Sequence, residues 1–370
     1  MDNTEVIENK ILCDFFQKMR NNHPLLQLKF IEDIIIDGSN LFPLNIYSEE
    51  ELNSNEIPCY INKIKNQYDN NKIINNLEEN TIYFVISHTY ADHILHNVCE
   101  LLQTLQIFVL YCNNTIINNK YNFKIICKPK DLYHSKFSVE TKNLMGLNDK
   151  IIIANNTTYY KGNFVYLYFS QSGFGYFKQH NQNVRLNTNY LDDLNCYIKK
   201  EDYTIFKRMI EVANEKCKGM KTYSKLWISR RDLNIDSYWH KRFLTNISDV
   251  SELILSKGFH EIHFPLDFWY QIYLMNNVDV VFSETGASSS NIFFMKDNAL
   301  FITNNDPHCY HHTAAALYFC YINKVRFLLY DDCVADTGNK YYINKSNTLN
   351  NPYKIRDIEH FKQWFIDWGL

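Results

Sequence analysis

Residues 278–295 (VDVVFSETGASSSNIFFM) combine a short apolar run with a cluster of small and polar residues. The run VDVVF is typical of a buried strand, and the apolar pattern that resumes at its end predicts a helix. Where such a strand feeds a helix, backbone N–H groups and the helix dipole favour an anion. The segment therefore predicts a phosphate-binding turn formed by Glu284, Thr285, Gly286, Ala287, Ser288, Ser289, Ser290 and Asn291.

A second segment, KLWISRRD at residues 225–232, places Arg230 and Arg231 directly after another apolar run. The arginine fork matches the oxygens of a phosphate group. Side chains alternate along a strand, so at most one of the two should point straight at a ligand. The alternative is an arginine–carboxylate pair with Asp232 at the strand end. Together the two segments predict a site for a nucleotide diphosphate.

The first half of the chain offers candidates for a general base. His93, His96 and Glu100 follow a spacing of three and then four residues within the amphipathic pattern of residues 91–112, which places them on one helix face. A carboxylate is the usual base, and a histidine can serve near neutral pH. Asp92 is a nearby alternative. A polar helix face that meets solvent or a second domain would explain the same pattern.

The sequence favours no metal site and no other cofactor. The chain contains no D-x-D triplet, the motif with which many sugar-transferring enzymes hold a metal. Two clusters of ligating side chains exist: His88, His93 and His96, and His308, Cys309, His311 and His312. Neither spacing is a standard zinc pattern. The second cluster could instead line the nucleotide side of a cleft.

Composition excludes several classes of protein. A net charge of −3 without a basic run argues against extended nucleic-acid binding. The ten cysteines are scattered without a C-x-x-C pair, which favours a reducing compartment over a disulfide framework. No basic leader opens the chain, and no apolar run approaches the roughly 20 residues that span a bilayer. We expect a soluble cytoplasmic protein, with peripheral contact to a membrane left open and the oligomeric state undetermined.

Regular alternation of strands and helices after Gly219 predicts a parallel sheet covered by helices on both faces. The predicted strands are KLWIS, FHEIHF, VDVVF, ALFIT and VRFLLY. The intervening helices are predicted at residues 246–257, 267–276, after the serine turn and at 313–322. Asn246 is the expected N-cap of the first of these, with Asp249 as its partner.

The first half is less regular. Helices are predicted at residues 3–20, 91–112 and 202–218, strands at TIYFVIS, FKIICKP, KIIIAN and FVYLYF, and loops in the Asn-rich stretches 66–80 and 113–122. We expect an α/β protein with an N-terminal domain at 1–218 and a second domain at 219–350. A helix within 351–370 should pack back toward the N-terminal domain.

These motifs resemble glycosyltransferase family 61, whose members share a strand ending in SRRD and a downstream G-A-[GS]-x-[ST]-N turn. Here the SRRD is followed by Arg242 and Asn246 in the family's R-x3-N spacing, and the turn is residues 286–291. More loosely, HNVCELL at 96–102 resembles the family's H-W-L-x-[ED]-L segment, which matches His96 and Glu100 to it. The resemblance covers roughly residues 85–305. Thr285 departs from the histidine that many members carry there.

The resemblance implies a GT-B-like fold, with two Rossmann-like domains facing a central cleft. It implies an inverting, metal-independent glycosyltransferase of polysaccharide biosynthesis, which moves a sugar from a nucleotide-sugar, by default UDP-linked, to a glycan or glycoprotein acceptor. The N-terminal domain would hold the acceptor and the second the donor. Glu284 would accept hydrogen bonds from ribose or sugar hydroxyls. The alternatives are a degenerate, non-catalytic scaffold that binds nucleotide or glycan, and an enzyme of the same fold such as a nucleotide-sugar epimerase.

Overall fold

A computed structural model describes residues 3–22, 26–39, 41–43, 71–86, 102–112, 121–129, 136–169, 204–231, 243–308, 310–340, 342 and 351–370. The chain divides into two compact units: the described elements up to residue 169 form the first, and those from residue 204 onward form the second. Both units combine helices with parallel or mixed sheets, so the α/β fold class is confirmed.

The first unit is built on a seven-stranded mixed sheet. Its strands are β1 (Leu26–Asp37), β2 (Phe42–Pro43), β3 (Ile73–Asn76), β4 (Thr81–Ile86), β5 (Asn122–Cys127), β6 (Ile151–Ile153) and β7 (Thr158–Phe169). Their order is β2-β1-β7-β4-β5-β6, with β3 also paired to β7. The neighbours from β7 to β6 are parallel, whereas β1 runs antiparallel to β7. The helices are α1 (Asn3–Asn22), α2 (Leu102–Tyr111) and α3 (Lys136–Leu144).

Burial explains which strands of the first unit were recognisable. Every residue of β4 is buried, and its β-branched and aromatic run predicts a central strand. In contrast, all four residues of β3 are exposed, and β3 lies within the Asn-rich stretch that was expected to be a loop. That expectation is wrong for residues 73–76, because pairing with β7 makes a strand there that local sequence does not favour.

The second unit is built on a five-stranded parallel sheet. Its strands are β8 (Lys225–Ile228), β9 (His260–Ile262), β10 (Val280–Ser283), β11 (Leu300–Asn304) and β12 (Arg326–Tyr330), in the order β12-β11-β10-β8-β9. A two-stranded sheet joins β13 (Cys333–Ala335) to β14 (Tyr353–Ile355). The helices are α4 (Thr204–Lys216), α5 (Ser248–Ser256), α6 (Phe268–Asn277), α7 (Tyr310–Ile322) and α8 (Ile358–Asp367), with a 3₁₀ segment at Ala287–Phe294. The predicted parallel sheet is confirmed.

Two separate apolar layers pack around this sheet. One layer joins inward-facing strand residues such as Trp227 and Phe282 to residues of α5 and α8, among them Val250 and Phe361. The alternate residues of the strands face the opposite side. The second layer lies on that side. In it the Phe206 ring of α4 stacks on the Phe293 ring of the 3₁₀ segment, with 4.7 Å between the ring centroids.

Two helices bear on the predicted domain organisation. Helix α4 is predicted in the first domain, but its apolar face contacts α6 and the 3₁₀ segment, so it belongs to the second unit. Helix α8 contributes Phe361 and Phe365 to the core of the second unit, where Phe365 lies 5.7 Å from Phe259 and 6.1 Å from Phe282 between ring centroids. Its packing toward the first domain stays a prediction. In both cases the aromatic residues of an amphipathic helix find their partners in the second unit.

The N-cap expected at Asn246 is also wrong. The cap position of α5 is Ile247, which makes no side-chain cap hydrogen bond. The Asn246 amide instead donates to the carbonyl of Ile355 at 2.9 Å and accepts the N–H of the same residue at 3.0 Å. The Asn246 side chain thus makes the two hydrogen bonds that a neighbouring strand would otherwise form with Ile355 of β14.

No helix within the part of the chain that the structure describes is both long and apolar enough to cross a membrane.

Candidate active site at the edge of the parallel sheet

The strand order of the second unit has its switch point between β8 and β10. The chain passes from β8 to β9 on one side and then crosses to β10 on the other. Ligands of open α/β sheets bind outside the carboxyl ends of the strands at such a point. Here the residues that leave β8 are Ser229, Arg230 and Arg231, and Glu284 leaves β10. The structure therefore brings together the two segments that the sequence singled out.

Glu284 connects the two segments directly. Its Oε1 accepts the backbone N–H of Arg230 at 3.1 Å, and its Oε2 accepts the backbone N–H of Leu244 at 3.1 Å. The side chain is only 1% exposed. Burial raises the pKa of the carboxyl group, while the charge of Arg230 and the two backbone donors act in the opposite direction. Each oxygen of Glu284 thus accepts one backbone N–H, and the expected role of accepting hydrogen bonds from ribose or sugar hydroxyls stays a prediction.

The two arginines have different surroundings. The Arg231 guanidinium forms a forked pair with Glu261 on β9, with Nε donating to Oε1 at 2.9 Å and Nη2 donating to Oε2. It also lies over the Trp227 ring, 4.9 Å from the centroid. Arg230 is partly buried, and its charge interacts with Glu284. Arg231 thus takes a carboxylate partner from the neighbouring strand. The expectation that at most one of the two arginines points at a ligand stays a prediction.

The turn after Glu284 depends on its glycine. Gly286 has φ 154° and ψ −154°, a region that is essentially restricted to glycine. The hydroxyl of Ser289 then donates to the Gly286 carbonyl at 2.9 Å, and the same carbonyl accepts the Ser289 N–H at 3.1 Å. These bonds close the first turn of the 3₁₀ segment. The helix expected after the serine turn is thus replaced by a 3₁₀ segment that begins at Ala287 and includes the three serines.

The other polar side chains of the turn mostly bind within the protein. The Ser288 hydroxyl lies 2.6 Å from that of Ser283. The Asn291 amide donates to the Ser288 carbonyl at 2.9 Å and accepts from Gln271 at 2.6 Å. Ser290 is fully buried. The structure describes no side-chain environment for Ala287. The hydrogen bonds of Ser288 and Asn291 therefore shape the turn.

Thr285 also faces inward. Its hydroxyl donates to the Asn304 carbonyl and lies 3.3 Å from the Thr303 hydroxyl. The residue is 3% exposed. The threonine that stands where many family members have histidine is therefore used to join β10 to β11.

Sequence reasoning missed a buried polar group at the end of β11. Asn304 donates from Nδ2 to the Tyr353 hydroxyl at 2.9 Å, and both residues are fully buried. Tyr353 in turn accepts the N–H of Thr245 at its carbonyl, 2.8 Å away, and donates its own N–H to Phe243 at 3.1 Å. The signal was the run NND directly after ALFIT, polar residues at the carboxyl end of a buried strand. The hydrogen bond between Asn304 and Tyr353 thus links the carboxyl end of β11 to β14.

Several candidate residues lie outside the described residues, so the structure does not place them. They are His88, Asp92, His93, His96, Glu100, Asp232, Arg242 and Cys309. His308 is described, and its N–H donates to Asp306 at 2.8 Å. Within the described residues, no three histidine, cysteine or acidic side chains are grouped so that they could hold a metal ion.

Comparison with known proteins identifies the family. The family model for Glycosyltransferase 61 matches residues 46–302, which is more than half of the chain and includes both segments of the candidate site. A search of curated proteins gave no match. A glycosyltransferase uses a sugar donor and an acceptor, and the switch-point edge offers a place for one of them. The chain belongs to glycosyltransferase family 61 and is a glycosyltransferase.

Proposed function

We propose that this enzyme transfers a sugar from a nucleotide-sugar to a glycan or protein acceptor, and that the donor diphosphate binds at the carboxyl edge between β8 and β10. The observation that supports this most is the hydrogen bond from the Arg230 N–H to Glu284. It joins the end of β8 to the start of the turn at the switch point, where α/β sheets bind ligands. Arg230, which carries a positive charge, and the start of the 3₁₀ segment then lie beside each other.

The chemistry that such a site supports is an inverting displacement. The acceptor hydroxyl loses its proton to a general base, its oxygen bonds to the anomeric carbon, and the carbon–oxygen bond to the diphosphate breaks. The leaving diphosphate keeps the electron pair and gains negative charge. Arg230 and the start of the 3₁₀ segment would stabilise that charge. Asp92, His96 and Glu100 of the first half are the proposed sources of the base.

The remaining parts of the proposal concern the fold, the nucleotide and the compartment. The strand order of the second unit is that of doubly wound sheets, which supports a GT-B-like pair of domains with the donor in the second and the acceptor in the first. UDP is the proposed nucleotide. Transfer without a metal is proposed because the sequence has no D-x-D triplet and an arginine stands at the site. We propose a cytoplasmic location from the scattered cysteines.

The experiment is thermal unfolding of the purified chain with UDP-, GDP-, CMP- and dTDP-sugars, each with and without EDTA. A ligand at 100 times its dissociation constant should stabilise the native state by about 2.7 kcal/mol. We expect one nucleotide class to stabilise the wild type, EDTA to leave that effect unchanged, and Arg230→Ala to abolish it.

Arg208→Ala is the matched control. Arg208 lies exposed on α4 in an ion pair with Glu211, and its loss should not change the response to the donor. Equal stabilisation of wild type and Arg230→Ala would refute the donor site. Loss of stabilisation with EDTA would refute transfer without a metal.

A further inference from the structure

The two donors to Glu284 come from segments that are separated in sequence. Arg230 lies immediately after β8, and Leu244 lies at the start of the segment that leads into α5. A single buried carboxylate therefore determines the separation of two backbone segments at the carboxyl edge of the sheet. Hydrogen bonds to an ionised acceptor are stronger than those between neutral groups.

The backbone around Leu244 is itself held in place by β14. Leu244 forms a parallel bridge with Tyr353, and the neighbouring residues Phe243 and Thr245 exchange backbone hydrogen bonds with Tyr353 at 3.1 and 2.8 Å. Tyr353 belongs to β14, which is paired with β13. The carboxylate is thus held through Oε2 by a segment paired with β14, and its other oxygen, Oε1, determines where the Arg230 backbone lies.

Charge also argues against direct contact between Glu284 and a diphosphate. Two negative groups in contact would repel each other, and the repulsion is stronger where water is excluded. Glu284 lies 1% exposed beneath the turn, with the positive charge of Arg230 beside it. This arrangement suits a carboxylate that holds a cation in place for another anion.

We propose that Glu284 is a positioning residue for Arg230, which fixes the arginine backbone so that its guanidinium meets the donor diphosphate. This inference rests on the proposed donor site. Glu284 itself does not touch the donor. Its loss should therefore weaken donor binding only through Arg230.

A double-mutant cycle tests this relation. The variants are Arg230→Ala, Glu284→Gln and the double variant, and the measurement is the dissociation constant for UDP, GDP, CDP and dTDP by calorimetry. We expect each single variant to weaken binding of the preferred nucleotide about tenfold or more, which is about 1.4 kcal/mol. The double variant should bind no more weakly than Arg230→Ala. Multiplied effects in the double variant would show that Glu284 contacts the ligand independently, and would overturn the proposal.

Other outcomes separate this inference from the function on which it rests. Normal binding by Arg230→Ala, or no binding of any nucleotide by the wild type, would overturn the donor site and the positioning role together. Weak binding by Arg230→Ala with normal binding by Glu284→Gln would overturn only the positioning role. Glu252→Gln is the matched control, since Glu252 is exposed on α5.

A second variant guards against loss of folding. Glu284→Asp keeps the charge but withdraws the carboxylate by one methylene group from its backbone donors. We expect it to raise the KM for the sugar donor in the same direction as Arg230→Ala. A merely structural defect would reduce the amount of active enzyme and leave KM unchanged, and that result in a folded Glu284→Asp enzyme would overturn the positioning role.

Discussion

Arg231 and Glu261 form a forked ion pair across two adjacent parallel strands, and the same guanidinium lies over the ring of Trp227. The Arg231 guanidinium changes the pKa of Glu261. Burial tends to raise the pKa of its carboxyl group, but hydrogen bonds from Arg231 and Ser229 and the positive charge of Arg231 outweigh it and leave the pKa below its usual value. Arg231 therefore holds β8 to β9.

Replacement of Arg231 should affect stability more than donor binding. Arg231→Ala removes the pair with Glu261 and the contact with Trp227, and we expect it to lower the free energy of unfolding by about 1–2 kcal/mol. Arg231→Lys keeps the charge without the fork and should lose part of that amount. Urea unfolding gives the stability change, and calorimetry gives nucleotide affinity. A loss of affinity as large as that of Arg230→Ala, with unchanged stability, would reverse the assignment of the two arginines.

The buried carboxyl of Glu284 should make stability depend on pH. Its pKa in the folded chain lies above the ordinary value of 4.5, chiefly because of burial. Between the two values the native state binds more protons than the unfolded state, so stability falls as pH rises through that window. Glu284→Gln removes this titration. We expect the difference in unfolding free energy, wild type minus Glu284→Gln, to decrease from about pH 4 upward; an increase would contradict the raised pKa.

Asp37 should show the opposite dependence. Burial tends to raise the pKa of its carboxyl group, but hydrogen bonds from Lys72 at 2.6 Å and from Ser39 at 2.8 Å outweigh it, and the pKa lies below 3.8. Its contribution is complete above that unfolded value and is lost as pH falls through the folded one. At neutral pH Asp37→Asn should cost about 1.5–3 kcal/mol. Acid unfolding of the two proteins should converge at low pH, and parallel curves would refute the prediction.

Asn246 should stabilise β14 and not the start of α5. Asn246→Ala removes both hydrogen bonds to Ile355, and we expect a loss of about 1–3 kcal/mol. Asn246→Asp keeps the acceptor for the Ile355 N–H but loses the donor, so its free energy of unfolding should lie between those of the wild type and Asn246→Ala. Hydrogen exchange locates the effect: the Ile355 amide should exchange faster while the amides of α5 stay protected. The reverse pattern would restore the N-cap role.

Helix α8 should contribute to the core of the second unit. Phe365 is fully buried, whereas Trp368 is 60% exposed on the same terminal segment. Phe365→Ala should cost about 3–5 kcal/mol of unfolding free energy through the cavity it leaves. Trp368→Ala serves as the matched exposed control, and its effect should stay within about 0.5 kcal/mol. Equal small effects of both replacements in urea unfolding would show that α8 is not part of this core.

Much of the second unit could be predicted from sequence because its strands are short, buried and β-branched. The runs VDVVF and KLWIS gave β10 and β8, and the polar residues after them indicated the candidate site. Partners distant in sequence could not be predicted. Glu261 is 30 residues from Arg231, and the amide of Asn246 binds Ile355, 109 residues away. In both cases the contact depends on the strand order, which local patterns do not contain.

The first unit was predicted less completely for a related reason. The long strand β1 (Leu26–Asp37) was not recognised, since its run LQLKFIEDIIID mixes charged and apolar residues without a clear alternation. It is stabilised by antiparallel pairing with β7, in which a register shift between Ile31 and Ile34 interrupts the alternation. Such an irregularity depends on the partner strand.

Strand β14 and helix α8 have a consequence for how the protein is made. The ribosome synthesises Arg230 and Glu284 long before it reaches Tyr353 and Phe365, yet those late residues support the switch-point edge and complete its core. The first unit can fold while synthesis continues. The carboxyl edge of the parallel sheet cannot be complete until residues 351–370 have emerged from the ribosome. A nascent chain stopped before residue 351 should therefore carry an exposed apolar sheet face, the kind of surface that chaperones bind.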